Sequence, residues 1–165
     1  MSDLIAPEWQ TTRWFNTSQP LSLAALRGRV VLLHAFQMLC PGCVSTAIPQ
    51  TKRIAALFAD SALVVVGLHA VFEHHAAMTP DALEVFLHEY RVTFPVAVDA
   101  PGVDGDPIPR TMRAYAMQGT PTTILIDAEG RLRQQRFGAE DDLLLGAAIG
   151  ALLTEAVLGK PSQAG

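Results

Sequence analysis

The sequence predicts an α/β fold with a central mixed β-sheet flanked by helices, and three observations lead there. Val30–Phe36 (VVLLHAF) and Ala62–Leu68 (ALVVVGL) are apolar at nearly every position and rich in valine, the pattern of strands buried on both faces. Helix-period stretches separate these strand-like segments, and such alternation calls for parallel pairing with helices on both faces. Near the C-terminus, Thr122–Asp127 (TTILID) and Arg131–Phe137 (RLRQQRF) flank Ala-Glu-Gly, a hairpin connection with a turn glycine. Antiparallel pairing therefore closes the sheet.

In chain order, a small strand is expected near Leu21–Leu23, ahead of the strand at 30–36. Val44, Ala47, Ile48, Thr51, Ala55 and Phe58 then recur at helical spacing and predict a helix to about residue 58. Pro49 should kink it, because proline lacks an N–H and crowds the carbonyl four residues back, at Ser45. After the second strand, Thr79-Pro80-Asp81 supplies an N-cap, a first-position proline and a first-turn acid. That helix would carry Leu83, Phe86, Leu87 and Tyr90 on one face. Phe94–Val98 is a short strand, and residues 100–109 form a Gly/Pro/Asp loop leading to a short helix at 110–117. Asp141 opens a final helix, rich in Leu, Ile and Ala, that runs to Glu155.

The 165 residues make a single domain, with no repeat or linker. Half are apolar and 17% are charged, a composition that excludes disorder. The formal charge of −4 offers no footprint for nucleic acid or an anionic membrane. No segment approaches the roughly 20 apolar residues that span a bilayer. The first 25 residues have neither a basic stretch nor an apolar run, so no secretory signal is expected and the default placement is cytoplasmic. A mature periplasmic domain given a new Met1 would look the same. Monomer and homodimer are both compatible with the sequence.

Cys40 and Cys43 are the only cysteines, spaced as Cys-Pro-Gly-Cys just beyond a central strand. Such a pair can be a staple, half a zinc site or a redox pair. A staple closing so short a loop gains little chain entropy. Zinc needs two further ligands, and no second CxxC or HxxxH exists, although His34, His69, His74, His75 and His88 are available. As a redox pair, Pro41 suits the first helical position, which makes Cys40 the N-cap at the positive end of the helix dipole. A thiolate is favoured there, so Cys40 should attack, while the more buried Cys43 resolves. Gly42 keeps the turn slim, as an approaching partner chain would require.

A CxxC between a buried strand and a helix, in this element order, resembles the thioredoxin fold. The chain is more closely similar to the TlpA/ResA-like redoxins, relatives of the peroxiredoxins. Trp14-Phe15-Asn16, Leu21-Ser22-Leu23 and Leu26–Leu33 (LRGRVVLL) are similar to that family's N-terminal extension and first core strand. Residues 68–95 correspond to its inserted helix after the second core strand, and Gly119-Thr120-Pro121-Thr122 to its cis-proline loop. The likeness covers about residues 14–155.

The resemblance implies a thiol–disulfide oxidoreductase without cofactor or metal. It would act on protein or small-molecule thiols and disulfides and be recharged by a reductant or oxidant that the sequence does not identify. Thr120, beside Pro121, would offer its main-chain N–H and C=O to an extended substrate. His34 stands where thioredoxins carry a buried acid. It is expected either to take the Cys43 proton or to sit in the core with a backbone carbonyl as partner. Leu39 stands in place of the usual tryptophan. Pro49 is one residue later than usual, which implies a local adjustment of the helix. Gln37, Glu73 and His74 are expected at the rim of the site.

A peroxiredoxin-like, antioxidant peroxidase is the alternative, with Cys40 attacking peroxide and Cys43 resolving the sulfenic acid. Gln37 occupies the position where that chemistry wants Ser or Thr. A second alternative is a copper- or zinc-binding chaperone of the Sco type, using both thiols and a histidine.

Overall fold

The computed structural model describes residues 4–159. Six strands form one mixed sheet: β1 (Thr11–Phe15), β2 (Val30–Phe36), β3 (Leu63–His69), β4 (Val96–Asp99), β5 (Thr122–Ile126) and β6 (Leu132–Phe137). Their spatial order is β1-β4-β3-β2-β5-β6. β2, β3 and β4 run parallel, while β1, β5 and β6 pair antiparallel to their neighbours. All seven residues of β2 are buried, as its nearly continuous apolar run requires of a central strand.

Alternation along β2 divides the core. Leu32 and Phe36 point to one face, with Cys43, Ile48, Leu83, Leu87, Ile149 and Leu152. Apart from Cys43, which lies just ahead of α1, these come from α1 (Ile48–Leu57), α2 (Pro80–Glu89) and α4 (Asp142–Leu158). Val31, Leu33 and Ala35 point to the other face, where Trp9, Leu26, Met112 and Tyr115 cover them from the N-terminal segment and α3 (Arg110–Ala114).

Two local expectations are met by visible hydrogen bonds. Thr79 Oγ1 accepts the Ala82 N–H at 3.2 Å, capping α2 behind its first-position Pro80. Asp141 Oδ1 does the same for α4, accepting from Leu143 and Leu144.

Residues 21–23 are not a strand. The Glu8 carboxylate accepts the N–H groups of Leu23 and Ala24 at 2.7 and 3.0 Å, and a turn follows. With those donors taken by Glu8, the edge position beside β4 goes to Thr11–Phe15. The adjustment around Pro49 is a π-helical stretch, Cys43–Ala47, in which the Ile48 N–H reaches back to the Cys43 carbonyl. This wider turn accommodates Pro49 as the second residue of α1, after which α-helical geometry continues. Among the described residues, no helix is long and apolar enough to cross a membrane.

Candidate functional site

β2 ends at Phe36, and the chain reverses through Gln37–Cys40, closed by the Cys40 N–H donating to the Gln37 carbonyl at 3.2 Å. Pro41 and Gly42 are the first helical residues. The Cys40 carbonyl accepts the Val44 N–H at 3.1 Å, and its sulfur accepts the Cys43 N–H at 3.2 Å. Both contacts are those of an N-cap. Cys40 and Cys43 are joined as a disulfide with their Cα atoms 5.2 Å apart. Cys43 is fully buried and Cys40 partly exposed, so an incoming group meets Cys40 first.

The loop before β5 faces this pair. The Thr120–Pro121 peptide is cis, and the Thr120 carbonyl lies 3.5 Å from Cys40 Sγ. A Cβ placed on Gly42 would meet only Pro121 Cδ, at an ordinary 3.7 Å, so the opposing loop does not itself demand glycine there. Gly119 is covered by the Phe137 ring, which a Cβ would approach to 2.9 Å. Phe137 and Leu39 are both more than half exposed, at 54% and 58%, and give the site apolar flanks. Phe137 carried no signal in the sequence, because its proximity depends on the β5–β6 register.

Gln37 is buried, not at the rim. Its Nε2 lies 3.5 Å from Thr120 Oγ1, and its Oε1 accepts the Phe72 N–H at 3.2 Å. One amide thus bridges the proline loop and the connection after β3, a use for glutamine that neither thiol nor peroxide chemistry suggests. Glu73, His74 and His75 are exposed on that connection, and His75 Nε2 lies 3.1 Å from the Pro107 carbonyl. Among the described residues, no three His, Cys, Asp or Glu side chains are arranged to hold a metal.

Two buried histidines pack on Phe36, the last residue of β2. His34 shares the β2 face of Leu32 and Phe36, and its ring stacks against Phe36 at 5.9 Å. Neither ring nitrogen has a hydrogen-bond partner, so the backbone carbonyl expected to satisfy a core histidine is not there. Burial pushes its pKa down to about 4. His69, at the end of β3, packs on the other side of Phe36 at 5.3 Å, and burial likewise lowers its pKa to about 4. Its Nε2 accepts the Met38 N–H at 3.3 Å, while Nδ1 has no partner. A groove of about 640 Å³, lined by His69, Met78, Pro101 and Pro107 among others, opens at this same edge of the sheet.

Comparison with known proteins places this geometry. The Redoxin family profile matches residues 3–144. A crystal structure of a thioredoxin-like superfamily protein is 53% identical, with a TM-score of 0.88 and coverage of 96% of this chain and 98% of that one. A thiol-disulfide isomerase from Corynebacterium glutamicum is 48% identical, with a TM-score of 0.85 and coverage of 90% and 97%. Protein DipZ of Mycobacterium tuberculosis is 29% identical over 150 residues, which are 90% of this chain but 20% of that much longer protein.

Proposed function

The chain belongs to the Redoxin family, and on that premise we propose that it is a thiol–disulfide oxidoreductase cycling Cys40 and Cys43 between dithiol and disulfide. The observation that carries the reading is Cys40 Sγ at a helix N-terminus, accepting the Cys43 N–H, with the Thr120 carbonyl 3.5 Å away. In the reducing direction, the Cys40 thiolate attacks one sulfur of a substrate disulfide. A mixed disulfide forms at Cys40 and the other substrate sulfur leaves as a thiolate. The Cys43 thiol gives up its proton and attacks Cys40 Sγ, which releases the second substrate thiolate and leaves the Cys40–Cys43 disulfide. Two electrons pass to the substrate, and an external dithiol restores the enzyme. Run backwards, the same steps oxidise a substrate dithiol.

Pro41 starts the helix whose dipole favours the Cys40 thiolate. Thr120 and Pro121 form the wall along which an extended substrate would lie, with the Thr120 main chain as its hydrogen-bond partner. His34 is the buried group proposed to receive the Cys43 proton. Burial lowers its basicity, which makes that transfer uphill at neutral pH.

The test is reduction of a protein disulfide by the dithiol form, together with redox titration against glutathione. Wild type should exchange, Cys40→Ser should be inactive, and Cys43→Ser should accumulate a mixed disulfide. Turnover of hydrogen peroxide without disulfide exchange would replace the reading with a peroxidase. Stoichiometric copper or zinc binding without exchange would replace it with a metal chaperone.

A further inference from the structure

The Gln37–Cys40 turn presents the reactive sulfur, and its hydrogen bonds are unequally protected. The Cys40 N–H closes the turn onto Gln37, Leu39 stands 58% exposed, and the Met38 N–H points into the protein. That inward N–H meets His69 Nε2 at 3.3 Å, across 31 residues of sequence. His69 is itself immobilised. It is 1% exposed, it pairs with Phe36 in the parallel β2–β3 register, and its ring packs on the Phe36 ring. For Nε2 to accept from an N–H, the imidazole must be neutral with its proton on Nδ1. Asp99 and Asp106 line the groove beside it, but the Asp99 carboxylate accepts the Thr111 and Met112 N–H groups and Asp106 pairs with Arg113.

We propose that His69 is a positioning residue for the thiol chemistry, clamping the Met38 N–H and so holding the Gln37–Cys40 turn with Cys40 Sγ at the helix N-terminus. The inference rests on the proposed thiol–disulfide exchange and adds to it a residue outside the Cys-Pro-Gly-Cys motif and the proline loop. The clamp matters most when the pair is reduced. In the disulfide form the bond to Cys43 fixes Cys40 by itself, whereas in the dithiol form only the turn and the cap do. Losing the clamp therefore destabilises the Cys40 thiolate more than the disulfide, and the equilibrium with glutathione moves toward the oxidised enzyme.

The experiment compares wild type, His69→Leu and His69→Gln. Each is scored for the dithiol–disulfide equilibrium constant against glutathione, the rate of Cys40 alkylation by iodoacetamide at pH 7, and thermal stability. His69→Leu keeps the buried volume and removes the acceptor, and one lost hydrogen bond to a fixed donor predicts a shift of about tenfold. The expected result is an equilibrium about tenfold toward disulfide with slower alkylation. His69→Gln, whose Oε1 can take the place of Nε2, should return both to within about twofold of wild type. A lowered Tm in His69→Leu with unchanged equilibrium and alkylation rate would overturn the proposal and leave His69 a structural residue. If His69→Leu does not fold, the decision passes to His69→Asn, which is too short to reach Met38. Wild-type values in His69→Asn would overturn the clamp equally. Absence of exchange in wild type would instead overturn the proposed function and is read separately from the same assay.

Discussion

Two buried polar centres sit at opposite ends of the central strands, and they are built on opposite plans. At the end away from the cysteines, the Asp127 carboxylate is fully engaged. It accepts the N–H groups of Glu129 and Arg131 at 3.1 and 2.9 Å and pairs with the guanidiniums of Arg131 and Arg133. Arg133 also reaches Glu155 of α4 at 2.6 Å, tying the β5–β6 hairpin to the last helix. Burial alone would raise the Asp127 pKa, but those hydrogen bonds and cations outweigh it and hold it below the usual carboxylate value. Around Phe36, by contrast, three of the four ring nitrogens of His34 and His69 have no partner. A satisfied buried charge maintains architecture. Unsatisfied buried imidazoles cost stability without compensation in the folded state.

The largest expected effect is the pH dependence contributed by the histidine centre. Both histidines are neutral in the fold and gain protons on unfolding, so the unfolded state binds more protons below about pH 6.5. Stability should fall as pH drops from about 6.5 to about 4, by up to about 3 kcal/mol per histidine. Denaturant unfolding of His34→Leu should show a flatter profile in this window. At pH 7 this variant should equal or exceed wild type, since an unsatisfied polar group is exchanged for an apolar one. A large loss of stability at pH 7 would show that His34 has a partner in solution and would erase the contrast.

Asp127→Asn should cost about 2 kcal/mol at pH 7, a figure reduced from that of a fully buried pair because Arg131 is partly exposed. The sign here is that of a depressed carboxylate. The contribution is complete above about pH 4 and fades as pH falls through the lowered native pKa, so the deficit should vanish in stronger acid. The equilibrium with glutathione should not move. A shift in it would mean that the two centres communicate.

Gly67→Ala probes the packing around the histidines from the neighbouring strand. Gly67 pairs with His34, and an added Cβ would come within 3.0 Å of Phe94 and Val96 and 3.2 Å of Phe36. Overpacking should cost about 1.5 kcal/mol, and displacement of Phe36 should slow disulfide exchange. Unfolding and exchange measured on the same preparation check both halves. The smallest effect belongs to Arg13, whose bonds to Asp81 and Glu84 join β1 to α2 at the surface. Arg13→Ala should change stability by no more than about 1 kcal/mol, and less at high salt.

Much of the framework was legible because it depends on local rules. The apolar run at 30–36, the Thr79-Pro80-Asp81 start and the hairpin around Gly130 carry their own signals, and each lies where expected to within a few residues. The Cys40 N-cap was legible for the same reason, since Pro41 specifies the first helical turn. Residues 21–23 misled because their apolar alternation fits a strand equally well, and only the distant Glu8 carboxylate takes their N–H groups. Gln37 misled because its sequence position beside the motif suggests a surface, whereas its amide is consumed between Thr120 and Phe72.

The sequence by itself determined the groups this chain carries: one cysteine at a helix start, a second a turn later, and a Thr-Pro loop about 80 residues on. Tertiary structure alone decided what surrounds them. It places His69 on Met38, Phe137 on Gly119 and Gln37 between two loops, and it leaves His34 without a partner. The physical reason is range. Caps, turns and periodicity are settled within a few residues. Burial and partnership across a sheet are settled only once strand register brings residues 18 to 83 positions apart into contact.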